Sequence, residues 1–441
     1  MRLTPTKLAD GRDLFYFDDS EPYVSGQATR RLDDLRPLTQ RSADSGPMMR
    51  HDPLTGDWIA MASYRMDRTF QPATTACPLC PAQAGAAYQD GEIPDTGYDV
   101  VVFENRFPSL WRPPGQEVAV TAEGVHANPR SGLDAGSCDF AQDDQKPASD
   151  FAQDDQKLAH ARAALQPTNQ ATQDQTKNLD ANPLWPVAPA AGRCEVICFS
   201  PDHWTSVGQL PATRMRTIID ALALRTAALQ QLDGIQQVFA FENRGQEIGV
   251  TLPHPHGQIY AYPFLPPRTA QIMRQAKAYQ ERTGRHLLAD VTAAEIAAGH
   301  RMVCQSDHWV AYVPAAARWP VEVHLAPRQD HLDLTSLSPA ERDDLARLYP
   351  QLLRGLDHYF RDANGAPMAL PYVAGWHQAP TDPDLRPLGR LHLQLFSIRR
   401  APDKLKYLAG SESGLAAWIC DTTPEQIAER AREALSEANH G

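Results

Sequence analysis

Two stretches of the chain share one hydrophobic pattern. Glu195-Val196-Ile197-Cys198-Phe199-Ser200-Pro201-Asp202-His203 is echoed by Val321-Glu322-Val323-His324-Leu325-Ala326-Pro327-Arg328-Gln329-Asp330-His331. Each is a short apolar run closed by proline, which reads as a strand, and each precedes a helix candidate. The first helix begins near Pro211, with Met215, Ile218, Ile219 and Leu222 at helical spacing. The second opens with Ser338-Pro339-Ala340-Glu341, a capping box with proline at the first helical position. Its stripe is Leu345, Leu348, Tyr349, Leu352 and Leu353, with Pro350 as a kink point. Each helix leads to paired strands. The first pair ends in His254-Pro255-His256-Gly257-Gln258; the second, Tyr372–Gly375 and Leu391–Phe396, lacks the two-histidine core. The pattern predicts an α+β fold of two tandem halves with antiparallel sheet, the second half degenerate, and a sheet shared between them.

Composition sets the boundaries. From Gly124 to Trp185 the chain turns to Ala, Gln, Asp, Asn and Pro, and the octet Asp139–Lys146 recurs unchanged as Asp150–Lys157. Such a stretch cannot bury enough apolar area to offset its ordering entropy, so 124–185 reads as a mobile surface insertion. The N-terminal, catalytic half then comprises 1–123 and 186–266, and the degenerate half 267–441. A net charge of -12 argues against a general nucleic-acid binder, so a phosphate-bearing ligand must be met by local basic groups. No apolar run is long enough to span a membrane.

The strongest chemical signal is the run Leu252-Pro253-His254-Pro255-His256-Gly257-Gln258-Ile259-Tyr260. Pro253 and Pro255 keep it extended and present two imidazoles close together, one suited to a metal and the other to attack at phosphorus. A neutral imidazole, with a free pKa of about 6.5, needs orientation more than activation. The second ring nitrogen of His256 should therefore be tied to a backbone carbonyl. Gln258, on the same side of the strand, can donate to a phosphoryl oxygen as charge develops. Asn243 and Thr251, in the loop leading to the motif, are either further phosphate donors or turn-formers bonded to their own backbone.

Cys77-Pro78-Leu79-Cys80 has the spacing that lets two thiolates share one metal, with His254 and His203 as candidate partners. A closed Cys₂His₂ set implies a structural zinc; a redox pair is the alternative. The remaining cysteines, Cys138, Cys194, Cys198, Cys304 and Cys420, lack that spacing, and an odd total of 7 fits a reducing cytoplasm. Arg65 and Arg68 follow the strand-like Asp57–Met61 and read either as a solvated pair or as phosphate ligands.

Together these residues resemble the galactose-1-phosphate uridylyltransferase family, the transferase branch of the histidine-triad superfamily, across nearly the whole chain except the insertion. The resemblance implies two histidine-triad-like halves. It implies that His256 forms a covalent uridylyl-histidine, that Gln258 steadies the phosphoryl oxygens, and that Cys77, Cys80, His203 and His254 bind zinc. It implies Asn105 near the uridine ribose, Asn243 near the transferred phosphate, and Arg65 and Arg68 on the hexose phosphate. Thr251 stands where many members have serine. Lys406 and Glu412 match the sugar-binding segment, where Ser411 replaces a usual aromatic, and in the family that segment completes the partner subunit's site, implying a homodimer. The implied reaction moves UMP from UDP-glucose to galactose 1-phosphate. Of a second metal site carried by some relatives only His377 and His392 remain, with Gln394 and Ile272 in place of other ligands, so no second metal is expected. Two rivals stand beside this reading: a dinucleoside-polyphosphate phosphorylase or similar nucleotidyltransferase, and a nucleotide-sugar-binding protein without turnover.

Overall fold

The computed structural model describes residues 1–30, 33–39, 46–67, 72–82, 91–112 and 182–440. Arg68 and the expected insertion up to residue 181 lie outside the described residues.

Strands of the two larger sheets, in chain order, are β1 (Arg2–Lys7), β2 (Asp13–Asp18), β3 (Met48–His51), β4 (Trp58–Met61), β5 (Val100–Glu104), β6 (Val187–Pro189), β7 (Arg193–Cys198), β8 (Gln237–Arg244), β9 (His256–Tyr262), β10 (Met302–Gln305), β11 (Trp309–Tyr312), β12 (Val321–Pro327), β13 (Tyr372–His377) and β14 (His392–Ser397). Eleven of them form one sheet in the order β1-β2-β5-β7-β9-β8-β13-β14-β12-β11-β10, while β3, β4 and β6 make a small separate sheet. All neighbours in the large sheet are antiparallel. The sheet is continuous through the β8–β13 pairing, where Asn243 lies opposite Val373 and Phe241 opposite Gly375. Outward from that junction, β9 and β14 occupy matching places, as do β7 and β12. The two apolar runs that repeat in the sequence are thus the same strand of two equivalent halves.

The helices are α1 (Ala212–Gln230), α2 (Pro267–Thr283), α3 (Leu287–Ala298), α4 (Pro339–Leu356) and α5 (Pro424–His440). α1 and α4 bury the stripes read from the sequence, including Met215, Ile218 and Leu222 on one and Leu345, Leu352 and Leu353 on the other. Side chains alternate across each strand, so Ile197, Ala240, Ile259, Val323, Ala374 and Leu393 share that apolar layer. At roughly 1.5–3 kcal/mol per fully buried aliphatic side chain, this layer is what fixes strand register. The alternate positions, His256 and Gln258 among them, are consequently presented on the opposite face.

α4 starts as expected: the Glu341 N–H donates to Ser338 Oγ at 3.3 Å and the Ser338 N–H donates back to the Glu341 carboxylate at 2.8 Å. It runs on through buried Pro350, because apolar contacts on both sides of that position outweigh one lost backbone bond. Beneath the layer, Arg225 of α1 makes a two-pronged pair with Glu195 of β7, at 2.9 and 2.7 Å, with both side chains fully buried. The Arg225 guanidinium also lies 4.2 Å from the Phe15 ring centre. Glu195 also accepts from Arg193 Nε at 3.2 Å, so removing Arg225 leaves this buried carboxylate with one longer pairing instead of three contacts. Arg225→Met is therefore expected to lower unfolding free energy in urea by about 3 kcal/mol, the low end for a broken buried pair, and a loss below roughly 1 kcal/mol would contradict this account of the pair.

Candidate functional site

The segment between β8 and β9 sets the site. Gly245 and Gly249 carry positive φ, +101° and +84°, which lets the chain turn back towards the sheet before Pro253-His254-Pro255 straightens it. His254 is 1% exposed and held at both ring nitrogens. Its Nε2 lies 2.8 Å from the Ser200 carbonyl and 2.8 Å from the Tyr98 hydroxyl. A carbonyl only accepts, so Nε2 carries the proton and Nδ1 is the bare nitrogen. Nδ1 stands 3.5 Å from Cys80 Sγ, and His203 Nδ1 stands 3.3 Å from the same sulfur.

With Cys77, these donor atoms all lie within 4.8 Å of one another. A turn that brings the Cys80 N–H to the Cys77 carbonyl, at 3.4 Å, presents both thiols to one point. Without a cation, burial and then Cys77 push the Cys80 thiol up to about 12. Burial likewise pushes His254 down to about 4, with the Ser200 carbonyl acting the other way. A divalent cation would reverse the thiol's cost, since it deprotonates a coordinating sulfur outright. Two soft thiolates and two neutral imidazoles, with the His254 tautomer preset by Ser200, fit a closed tetrahedral metal site. The pair sits in a turn and converges on histidines, and among the described residues neither cysteine opens a helix.

His256 opens β9, paired with Cys198 of β7, while Gly257 faces Glu242 of β8. Its Nδ1 donates to the His254 carbonyl at 2.8 Å, leaving Nε2 with the lone pair. Burial lowers its pKa from the usual value, opposed by that carbonyl. The imidazole lines a cavity of about 410 Å³ together with Thr205, Glu242, Asn243 and Arg244. Glycine is required next to it: a Cβ at 257 would come within 2.8 Å of the Phe199 ring and 3.0 Å of the Phe241 carbonyl. Gln258 shares the face of His256, and its Oε1 accepts the Tyr260 hydroxyl at 2.9 Å.

The other candidates divide. Arg65, in a short helical turn over Ser63–Asp67, donates to the Phe107 carbonyl at 2.7 Å and lies near the Tyr260 hydroxyl. Asn105 follows β5, and its Oδ1 accepts the Phe107 N–H at 2.8 Å, so that oxygen shapes the turn. Asn243 lines the cavity, and neither its side chain nor that of Thr251 takes a hydrogen bond among the described residues. Turn-forming bonds to their own backbone are thus not what these two side chains make. Lys406 and Glu412 pair at 3.8 Å in the second half and are not part of the cavity lining around His256.

In that half β14 repeats the device of β9. His392 Nδ1 donates to the Arg390 carbonyl at 2.9 Å, but Gln394 lies 3.0 Å from His392 Nε2, which engages the second nitrogen. His377, opposite His392 across the strand pair, stacks on it with ring centres 5.0 Å apart, and Ile272 packs in an apolar cluster with Met273 and Leu388. His324, bonded to Glu322 at 3.1 Å, joins this group opposite Gln394. The sequence reading missed His324, Glu322, Tyr98 and Tyr260; strand alternation through Glu322 and His324 was the available signal for the first two.

Comparison with known proteins agrees in direction. The family model described as galactose-1-phosphate uridyl transferase, N-terminal domain, matches residues 116–266, and that for the C-terminal domain matches 272–440. The chain is 37% identical to the galactose-1-phosphate uridylyltransferase of Streptomyces lividans, covering 86% of this chain and 81% of the relative. It is 28% identical to that of Thermotoga maritima, covering 87% and 98%. A solved uridylyltransferase structure superposes with a TM-score of 0.63 at 28% identity, covering 88% of this chain and 99% of that one. The fold is also shared, at 19% identity and a TM-score of 0.54, with an ADP-glucose phosphorylase from Arabidopsis thaliana, covering 88% and 98%.

If the four convergent donors hold one ion, Cys80→Ser should lose it. Elemental analysis of the purified variant is expected to show bound metal reduced to background together with a lower thermal midpoint, whereas undiminished metal would remove Cys80 from the ligand set.

Proposed function

The chain belongs to the galactose-1-phosphate uridylyltransferase family, and from that premise we propose that it moves the uridylyl group by way of a covalent adduct on His256. Its activity is uridylyl transfer in galactose metabolism, between UDP-glucose and galactose 1-phosphate. In the first half-reaction His256 Nε2 attacks the uridylyl phosphorus and glucose 1-phosphate leaves. In the second, galactose 1-phosphate attacks the same phosphorus and leaves as UDP-galactose, freeing the imidazole.

The observation that carries this reading is the hydrogen bond from His256 Nδ1 to the His254 carbonyl, which leaves Nε2 as the nucleophilic nitrogen of a residue lining the cavity. As Nε2 bonds phosphorus the ring becomes cationic, and the same carbonyl stabilises that charge. Gln258 donates to the phosphoryl oxygens as a neutral group, so the adduct is not held too tightly for the second step. Arg65 and Arg68 neutralise hexose phosphate, Asn243 and Thr251 contact the transferred phosphate, and Asn105 lies at the ribose. Cys77, Cys80, His203 and His254 would hold zinc, whose contribution when bound is structural. Lys406 and Glu412 recognise sugar hydroxyls in a site completed across a homodimer. Tyr407, Leu415 and Ile419 beside them are exposed apolar residues, which favours coverage by a second copy. The six described cysteines are free, in keeping with a cytoplasmic protein. No helix among the described residues is long and apolar enough to cross a membrane.

A covalent half-reaction makes sugar phosphates exchange without the second substrate. Labelled glucose 1-phosphate incubated with UDP-glucose alone should carry its label into UDP-glucose; absence of exchange, with net transfer intact, would require both sugar phosphates to be bound at once and would contradict the adduct. The pH profile has a definite sign. Because burial lowers the His256 pKa, the neutral, nucleophilic form persists below the ordinary range. The adduct-forming rate should therefore stay flat through about pH 6.5 and fall only at lower pH, and a decline centred at or above about 6.5 would contradict that role.

A further inference from the structure

We propose that Tyr260 is a positioning residue for Gln258, its hydroxyl fixing the amide so that the NH₂ group and not the oxygen meets the transferred phosphoryl group. The inference rests on the donor role proposed for Gln258 and says how that role is enforced. A glutamine amide has two nearly isosteric orientations, and they are opposite in electrostatic effect. With NH₂ forward it donates to an oxygen that gains negative charge; with Oε1 forward it repels that oxygen. Something in the site must choose.

The choice follows from the hydroxyl that the Gln258 amide meets. Tyr260 lies two residues beyond Gln258 on β9 and on the same face, and its hydroxyl donates to Gln258 Oε1 at 2.9 Å. The ring is 8% exposed and fixed edge-on to Phe241, with centres 5.1 Å apart, and against Tyr262 at 6.0 Å. Arg65, anchored on the Phe107 carbonyl at 2.7 Å, and Ser109 lie beside the same hydroxyl. A neighbouring guanidinium favours the phenol oxygen turning its lone pairs towards the cation and its hydrogen towards Gln258. With Oε1 satisfied from behind, the two N–H groups of Gln258 are the part left for substrate. The Tyr260 hydroxyl thus lies beside both the residue assigned to hexose phosphate and the one assigned to the uridylyl phosphate.

A double-mutant cycle in single-turnover adduct formation tests this, using wild type, Tyr260→Phe, Gln258→Ala and the double variant with UDP-glucose labelled in the uridylyl phosphate. Tyr260→Phe should slow adduct formation roughly 10-fold with little change in UDP-glucose KM, and should cost nothing further in the Gln258→Ala background. An equal loss in both backgrounds, or none in either, would overturn the positioning role while leaving Gln258 as donor. If Gln258→Ala alone forms adduct at the wild-type rate, the donor role fails and the inference fails with it. Should Tyr260→Phe not fold, 3,5-difluorotyrosine at 260 keeps the ring and makes the hydroxyl more acidic. Its adduct rate should then fall at alkaline pH where wild type does not, and a profile identical to wild type would overturn the proposal.

Discussion

One peptide carbonyl, that of His254, ties the site together. The side chain of this residue is fixed by Ser200, Tyr98 and the sulfur of Cys80, so its backbone cannot drift without breaking a buried cluster. The carbonyl then accepts His256 Nδ1 and sets both the tautomer and the direction of the imidazole. Prolines on either side leave the chain between the two rings little freedom. A cluster of metal-ligand type thereby fixes the backbone that orients the His256 imidazole.

The sheet shows how the two halves differ at equivalent places. β9 and β14 hold equivalent places and both tie a histidine Nδ1 to the carbonyl two residues earlier. They differ in the amide. Gln258 is bonded away from its histidine, to Tyr260, whereas Gln394 bonds directly to His392 Nε2. Burial together with His324 also pushes His392 down to about 3, so this imidazole stays neutral inside a stacked group of rings.

Much of this was legible in the sequence because it depends on local rules. The α4 capping box, the helical stripes and the paired apolar runs have fixed spacings, and the structure follows them. The Pro-His-Pro-His-Gly-Gln run and the Cys-x-x-Cys pair were equally plain, and the convergence of Cys77, Cys80, His203 and His254 needed only that the chain bring them together. What the sequence hid was decided across strands. Tyr98 reaches His254 over a separation of 156 residues, and His324 meets its neighbours through β12–β14 register. Tyr260 was in plain view beside the motif, yet nothing in its spacing says whether its hydroxyl turns to Gln258 or to solvent. Pro350 shows the converse, a local rule outweighed by the packing of both helix faces.

The central claim is that His256 carries the uridylyl group between the two sugar phosphates. The direct measurement is to mix the protein with UDP-glucose labelled in the uridylyl phosphate, denature it, and map any acid-labile adduct. The account predicts label on His256 that added galactose 1-phosphate discharges into UDP-galactose. Protein that turns over both substrates yet never carries label, or carries it on a residue other than His256, would contradict it.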